Sequence, residues 1–187
     1  MVTIVRQYIE DAQRLQKCGD HDVAVSMLTR ALCEDKQEMF AVEIHKLLSF
    51  SHRKLGNNEL ALVHINRAIG LVQDKTKTNQ SIYEYAVCLM NKGVVCESAK
   101  RYDSALESYQ SAVTIFQEVQ RSNPEHSGAL INALITLGLF YINQNKQVEA
   151  RECLTSALDY FGADKETDRR YVAICNTLTE LQHKTGG

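Results

Sequence analysis

Six histidines and six cysteines are the residues of this chain best equipped for chemistry, and their spacing argues against most of it. The cysteines (Cys18, Cys33, Cys88, Cys96, Cys153, Cys175) are scattered, with no CxxC pair and no Cys/His cluster of metal-ligand spacing. That pattern fits buried thiols in a reducing compartment better than a disulfide frame or a zinc site. Of the histidines (His21, His45, His52, His64, His126, His183), only His45 and His52 have a helical relation, seven apart. Two helical turns separate them by about 10 Å along the axis, too far for one metal ion without further ligands. They read as ordinary, partly exposed histidines. Cys88 and Cys96 read as core thiols.

Catalytic patterns are missing. The sequence has no GxGxxG after a strand, no P-loop, no HExxH and no GxSxG. Its acidic residues lie mostly beside Lys or Arg on what read as helix surfaces, a solvated pattern rather than an acid/base pair. The expectation is a non-enzyme with no catalytic residue, no metal and no cofactor. The formal net charge is −2 and the pI near 6.3, which leaves no basic footprint for nucleic acid. The first residues, MVTIVRQYIEDAQR, carry no apolar signal core, and the longest apolar run, 128–142, is broken by Asn132 and Thr136. Membrane insertion is therefore not expected. The cytoplasm is the expected location, and the sequon Asn79-Gln80-Ser81 is expected to go unglycosylated.

What elements carry these residues? Of 187 residues, 44% are hydrophobic and 24% charged, a globular balance. Pro124 is the single proline where average usage gives about nine, so long helices are permitted. Ala24 and Ala31, Ala61 and Ala68, Ala105 and Ala112, Ala150 and Ala157 form four pairs, each seven apart. A large apolar residue follows the first Ala by four (Leu28, Ile65, Tyr109, Leu154), and a small one precedes it by twelve (Ala12, Ser49, Gly93, Gly138). Leu15, His52, Cys96 and Tyr141 fall nine before it. A polar turn lies between: Gly19-Asp20, Gly56-Asn57, Lys100-Arg101, Asn145-Lys146. Each unit is a helix–turn–helix, with apolar stripes at helical spacing such as Tyr102, Ala105, Leu106, Tyr109, Ala112, Val113, Phe116. Small residues at fixed places bring two helix backbones close, and one pair cannot bury both faces, so pairs must stack. Helices are predicted over 3–18, 21–34, 38–55, 58–73, 80–99, 102–121, 126–144, 147–161 and 166–184.

YDSALESYQSAVTIF (102–116) resembles the second helix of a tetratricopeptide repeat, and KLGNNELALVHINRAIGLV and NKQVEARECLTSALDYF are similar to the same element. The resemblance covers about residues 5–184. It implies an all-α fold, a right-handed α-solenoid of four repeats (3–34, 38–73, 80–121, 126–161) in a single domain, 1–187. Residues 166–184 would be a capping helix, on the apolar stripe Tyr171, Ile174, Leu178, Leu181. They would instead open a truncated fifth repeat if His183-Lys184-Thr185-Gly186 starts another turn, in which case the chain is a piece of something longer. The repeats are spaced 37, 44 and 45 residues apart, longer than the family's usual 34. The extra residues are expected in longer helices or in loops at 74–80 and 121–126. NPEHSGALINALITLGLFY resembles the long-period subclass of kinesin light chain-type repeats. Where that subclass often carries paired Asn, this chain has Ile135-Thr136.

The resemblance implies a protein–protein interaction scaffold whose first helices line a concave, peptide-binding groove. Family geometry places Lys46, Phe50, Arg53, Lys54, Met90, Asn91, Val94, Thr136, Leu139 and Asn143 there. Basic residues of the second unit would take carboxylates, the amides would bond a peptide backbone, and the apolar side chains would hold anchors. The C-terminal tail of a heat-shock chaperone is not the expected ligand. The family's carboxylate clamp calls for Lys or Asn, then Asn, where this chain has Ile9, Gln13 and Leu47. The alternative role is a structural subunit of a larger assembly, packing through the convex face or an exposed stripe on the final helix.

Overall fold

The computed structural model describes residues 2–74, 78–162 and 165–185, with side chains through 183. Among them are nine α-helices and no strand: α1 (Val2–Cys18), α2 (His21–Glu34), α3 (Ala41–Lys54), α4 (Asn58–Gln73), α5 (Asn79–Ser98), α6 (Tyr102–Ser122), α7 (Ser127–Asn143), α8 (Gln147–Leu158) and α9 (Arg169–Thr185). Short 3-10 turns, Pro124–His126 and Lys165–Thr167, precede α7 and α9. The chain forms two compact units, Met1–Ser108 and Tyr109–Gly187.

The repeat register is visible in the packing. All eight paired alanines are buried, as are Leu28, Ile65, Tyr109 and Leu154 four residues on. The small position brings the two helices of a pair together in different ways. Ala12 packs into the core made by Val5, Ile9, Leu28, Ile44 and Leu48. Ser49 donates its hydroxyl hydrogen to the carbonyl of Ala61 at 2.8 Å, so α3 meets α4 through a satisfied polar contact. Gly138 lets α7 approach α8 so closely that a Cβ there would lie 2.9 Å from Leu154 Cγ.

All four turns are one device. The first residue of each polar pair has positive φ: Gly19 (+89°), Gly56 (+78°), Lys100 (+58°) and Asn145 (+59°). The next residue sends its N–H back to the carbonyl of Leu15, His52, Cys96 or Tyr141, at 2.8–2.9 Å. A second bond joins the positive-φ N–H to the carbonyl three residues earlier. This pair of bonds is the Schellman motif, which satisfies the last carbonyls of the first helix and turns the chain into the second.

Three helix ends differ from the sequence expectation by more than one residue. α3 starts at Ala41 rather than 38 because Asp35 holds the preceding loop: its carboxylate accepts from the N–H groups of Met39 (3.0 Å) and Phe40 (2.7 Å). Glu38, at φ +52°, cannot be helical there. α8 ends at Leu158 rather than 161, and α9 starts at Arg169 rather than 166, because Lys165–Thr167 is 3-10 and Asp168 accepts from the Arg170 N–H. In the expected long loops, Thr78 and Ser81 cap α5 reciprocally, and Pro124 sits at the first position of its 3-10 turn beneath the Asn123 cap. Residues 75–77 of the expected loop lie outside the described residues, as does Gly186 of the expected fifth-repeat turn. α9 is helical through Thr185 and packs on α8. Of its stripe, Ile174 and Leu181 are buried and Tyr171 and Leu178 are half-buried.

Candidate functional site

α3 has two working faces. Ile44, His45, Leu48, Ser49 and His52 are buried, while Glu43, Lys46, Leu47, Phe50, Arg53 and Lys54 are half-buried or exposed. The second face forms the wall of a cavity of about 440 Å³ inside the first compact unit. Gln16 of α1 closes one side, and Val87, Asn91, Val94 and Val95 of α5 form the other. Cavities of this size, mostly apolar with a few polar groups, are the usual form of a binding site.

The polar groups at the rim are held in place. Gln16 Nε2 donates to the Leu47 carbonyl (3.0 Å) and to Ser51 Oγ (2.8 Å), which fixes α1 against α3. Glu43 accepts from Gln13 Nε2 at 3.2 Å. Lys46 Nζ reaches Glu84 Oε1 of α5 at 3.4 Å, so part of its charge is already answered. Phe50 is 37% exposed. Its ring meets the edge of His21 at 5.6 Å, and the Arg53 guanidinium and Lys54 ammonium lie 5.5 and 5.7 Å from its centroid. The arrangement is an aromatic surface flanked by two cations. The Asn91 side chain makes no hydrogen bond among the described residues.

Of the ten residues expected to line a groove, Lys46, Phe50, Arg53, Asn91 and Val94 line this cavity, and Lys54 stands at its rim over Phe50. Met90 is half-buried on α5 outside the lining. Thr136, Leu139 and Asn143 lie on α7 in the second compact unit. There Thr136 donates to the Asn132 carbonyl at 2.8 Å, and Leu139 and Asn143 are exposed. Ser49 and Val95 also line the cavity and were not expected, because both sit where the repeat pattern reads core.

The buried face of α3 holds a correction. His45 and His52 are buried, at 8% and 9% exposure, rather than partly exposed. His64 of α4 fits between them, a relation that no spacing along one helix reveals. His45 Nδ1 and His64 Nδ1 are 3.0 Å apart, and the His52 and His64 rings stack 5.3 Å apart and 4° from parallel. Burial holds all three below the ordinary histidine pKa. For His64, the proximity of His45 and His52 adds to burial and brings it to about 4. Stacked rings hold their in-plane lone pairs in separate parallel planes, so His52 and His64 do not aim at one ion. Among the described residues no three His, Cys, Asp or Glu are arranged to hold a metal, and no helix is long and apolar enough to cross a membrane.

A tetratricopeptide repeat family model matches residues 86–119, within α5 and α6. Among solved structures, the Podosopora anserina putative kinesin light chain with nearly identical TPR-like repeats aligns over 97% of this chain and 86% of its own, at 15% identity and TM-score 0.76. The apo form of RapI aligns over 97% of this chain and 64% of its own, at 17% identity and TM-score 0.76. A chain of the APC/C hetero-tetramer Cut9–Hcn1 aligns over 93% of this chain and 29% of its own, at 16% identity and TM-score 0.66. No curated protein sequence matches the chain. At these identities the likeness concerns the fold. The chain is thus all-α, residues 86–119 match a tetratricopeptide repeat, and its structural neighbours include proteins built of such repeats, kinesin light chain-like ones among them.

Proposed function

We propose that the cavity beside α3 binds an extended peptide segment of a partner protein, one that carries a large apolar anchor with acidic residues next to it. The observation that carries this reading is Phe50: an aromatic ring more than a third exposed, at the mouth of an apolar cavity, with Arg53 and Lys54 on its flanks. An apolar anchor that buries itself between Leu47, Phe50 and Val94 gains about 1.5–3 kcal/mol. Carboxylates beside Lys54 and Arg53 add about 0.2–1 kcal/mol each at such exposed positions, and serve register more than affinity. Asn91 offers an amide donor and an acceptor to the peptide backbone. The role is non-catalytic, and the six scattered cysteines favour the reducing cytosol as its place.

The test is to pan a phage-displayed random 12-residue library on the intact chain. Titration calorimetry then measures the enriched peptides against wild type, Phe50→Ala and Arg53→Glu, with circular dichroism confirming the folds. Enrichment of acidic sequences with one large apolar residue, at least a tenfold affinity loss in Phe50→Ala and about a two- to fivefold loss in Arg53→Glu, is the expected result. Peptides that bind both variants as tightly as wild type would overturn the reading.

A further inference from the structure

His45, His52 and His64 place three titratable rings in the contact between two helices, at a point the groove does not use. We propose that this cluster is a proton-sensitive joint: it fastens α3 to α4 while the rings are neutral, and releases α3 when they take up protons in acidic solution.

The geometry limits what the cluster can hold. A 3.0 Å contact between His45 Nδ1 and His64 Nδ1 accommodates one hydrogen, so the neutral pair consists of one ring protonated on Nδ1 and one on Nε2. A first proton adds to the free Nε2 of the donor ring and leaves the hydrogen bond in place. A second must go on the acceptor Nδ1, which sets two N–H groups against each other. The stack gives no escape, because a charge on His52 lies 5.3 Å from the His64 ring, face to face. The cluster thus holds at most one charge without breaking a contact.

The surroundings do not relieve that charge. On α4, Arg67 opposes protonation of His45, and only Glu38, in the loop before α3, favours it. No carboxylate acts on His52 or His64. On the other elements packed on α3, three polar groups have partners away from the cluster. Glu84 of α5 pairs with Lys46, Gln13 of α1 bonds Glu43, and His21 of α2 meets Phe50.

The sign follows from linkage. In the unfolded chain all three histidines bind protons near pH 6.5. In the fold they bind them at lower pH, His64 at about 4. The contribution of the cluster to stability is complete above about pH 6.5 and is lost as pH falls toward about 4. α3 also carries Lys46, Phe50 and Arg53, so its release would remove one wall of the cavity. That consequence for binding rests on the peptide-groove reading, whereas the joint itself does not.

The test needs no ligand. Histidine ring signals of the intact chain are followed by NMR from pH 7.5 to 4, and urea midpoints are measured across the same range for wild type, His64→Phe and the outlying control His183→Gln. His64→Phe keeps an aromatic ring in the stack and cannot be protonated. The expected result is that His64 titrates more than a pH unit below the ordinary histidine value of about 6.5, and that unfolding at pH 5.5 takes up about 0.9 proton more in wild type than in His64→Phe. His183→Gln should match wild type. A folded-state His64 that titrates near 6.5, or a pH slope unchanged by His64→Phe, overturns the joint. If His64→Phe does not fold, the wild-type titration alone decides the matter. Should the joint hold while no peptide binds, it is the groove reading that fails.

Discussion

Two glycines inside helices should respond in opposite directions to the same substitution. Gly70 lies in the last turn of α4, and a Cβ built there meets nothing within 4 Å. Gly70→Ala should therefore stabilise by about 0.5–1 kcal/mol, since Ala loses less backbone entropy in a helix. Gly138 lies in the middle of α7, where a Cβ would sit 2.9 Å from Leu154 Cγ, 3.0 Å from its Cδ2 and 3.5 Å from the Ala150 carbonyl oxygen. Leu154 is itself fully buried and cannot swing away, so α8 must shift. Overpacking of this kind costs about 1–3 kcal/mol, against about 1 kcal/mol gained in helix propensity. The expected net effect is a loss of about 1 kcal/mol, and a gap of about 2 kcal/mol between the two variants. At this chain length that is about 4–8 °C in Tm, read by far-UV circular dichroism with a urea midpoint as check. A cycle with Leu154→Ala sharpens the test. That change alone should cost about 2–5 kcal/mol, and less in the Gly138→Ala background, because the new methyl fills part of the space vacated. If Gly138→Ala raises Tm as much as Gly70→Ala does, or if the cycle shows no coupling, the close approach of α7 and α8 is wrong.

Other perturbations follow from the same register. Lys100→Gly should stabilise by about 1 kcal/mol, because Lys100 occupies the left-handed turn position that Gly19 and Gly56 fill without strain; a urea midpoint that does not rise would count against the turn. Asp35→Ala should cost about 1–3 kcal/mol and speed hydrogen exchange at the Met39 and Phe40 amides, which lose their acceptor. Ala105→Leu forces a larger side chain into a fully buried site and should cost about 1–3 kcal/mol. Tyr109→Ala empties a buried ring that meets Phe140 edge-on at 5.5 Å, and should cost about 3–5 kcal/mol. Unchanged melting in both of the last two would place the repeat register elsewhere.

The candidate site was legible in part. Phe50, Arg53, Asn91 and Val94, which line the cavity beside α3, could be placed by the geometry that the resemblance to tetratricopeptide repeats implies for the first helix of each unit. The partners of those residues could not. Lys46 reads as an open cation, yet Glu84, thirty-eight residues on, answers its charge. His45 and His52 read as a pair too distant to act together, yet His64 enters between them from the next helix. Each of these relations crosses from one helix to another, and its distance depends on how deeply the two backbones approach.

What the sequence determined by itself is whatever acts within one or two helical turns. The alanine pairs, the stripe of large residues and the single proline specify helices and their inward faces, because side-chain direction repeats every 3.6 residues whatever lies opposite. The polar pairs specify the turns, because a positive φ and two backbone bonds close over six residues. Tertiary structure alone decided which side chains meet across helices: the cavity between α3 and α5, and the buried histidine cluster between α3 and α4. The physical reason is that a helix's periodicity fixes the direction in which a side chain leaves it. The spacing, tilt and sliding of the neighbouring helix, set by the packing of small residues such as Ser49 and Gly138, decide what that side chain meets.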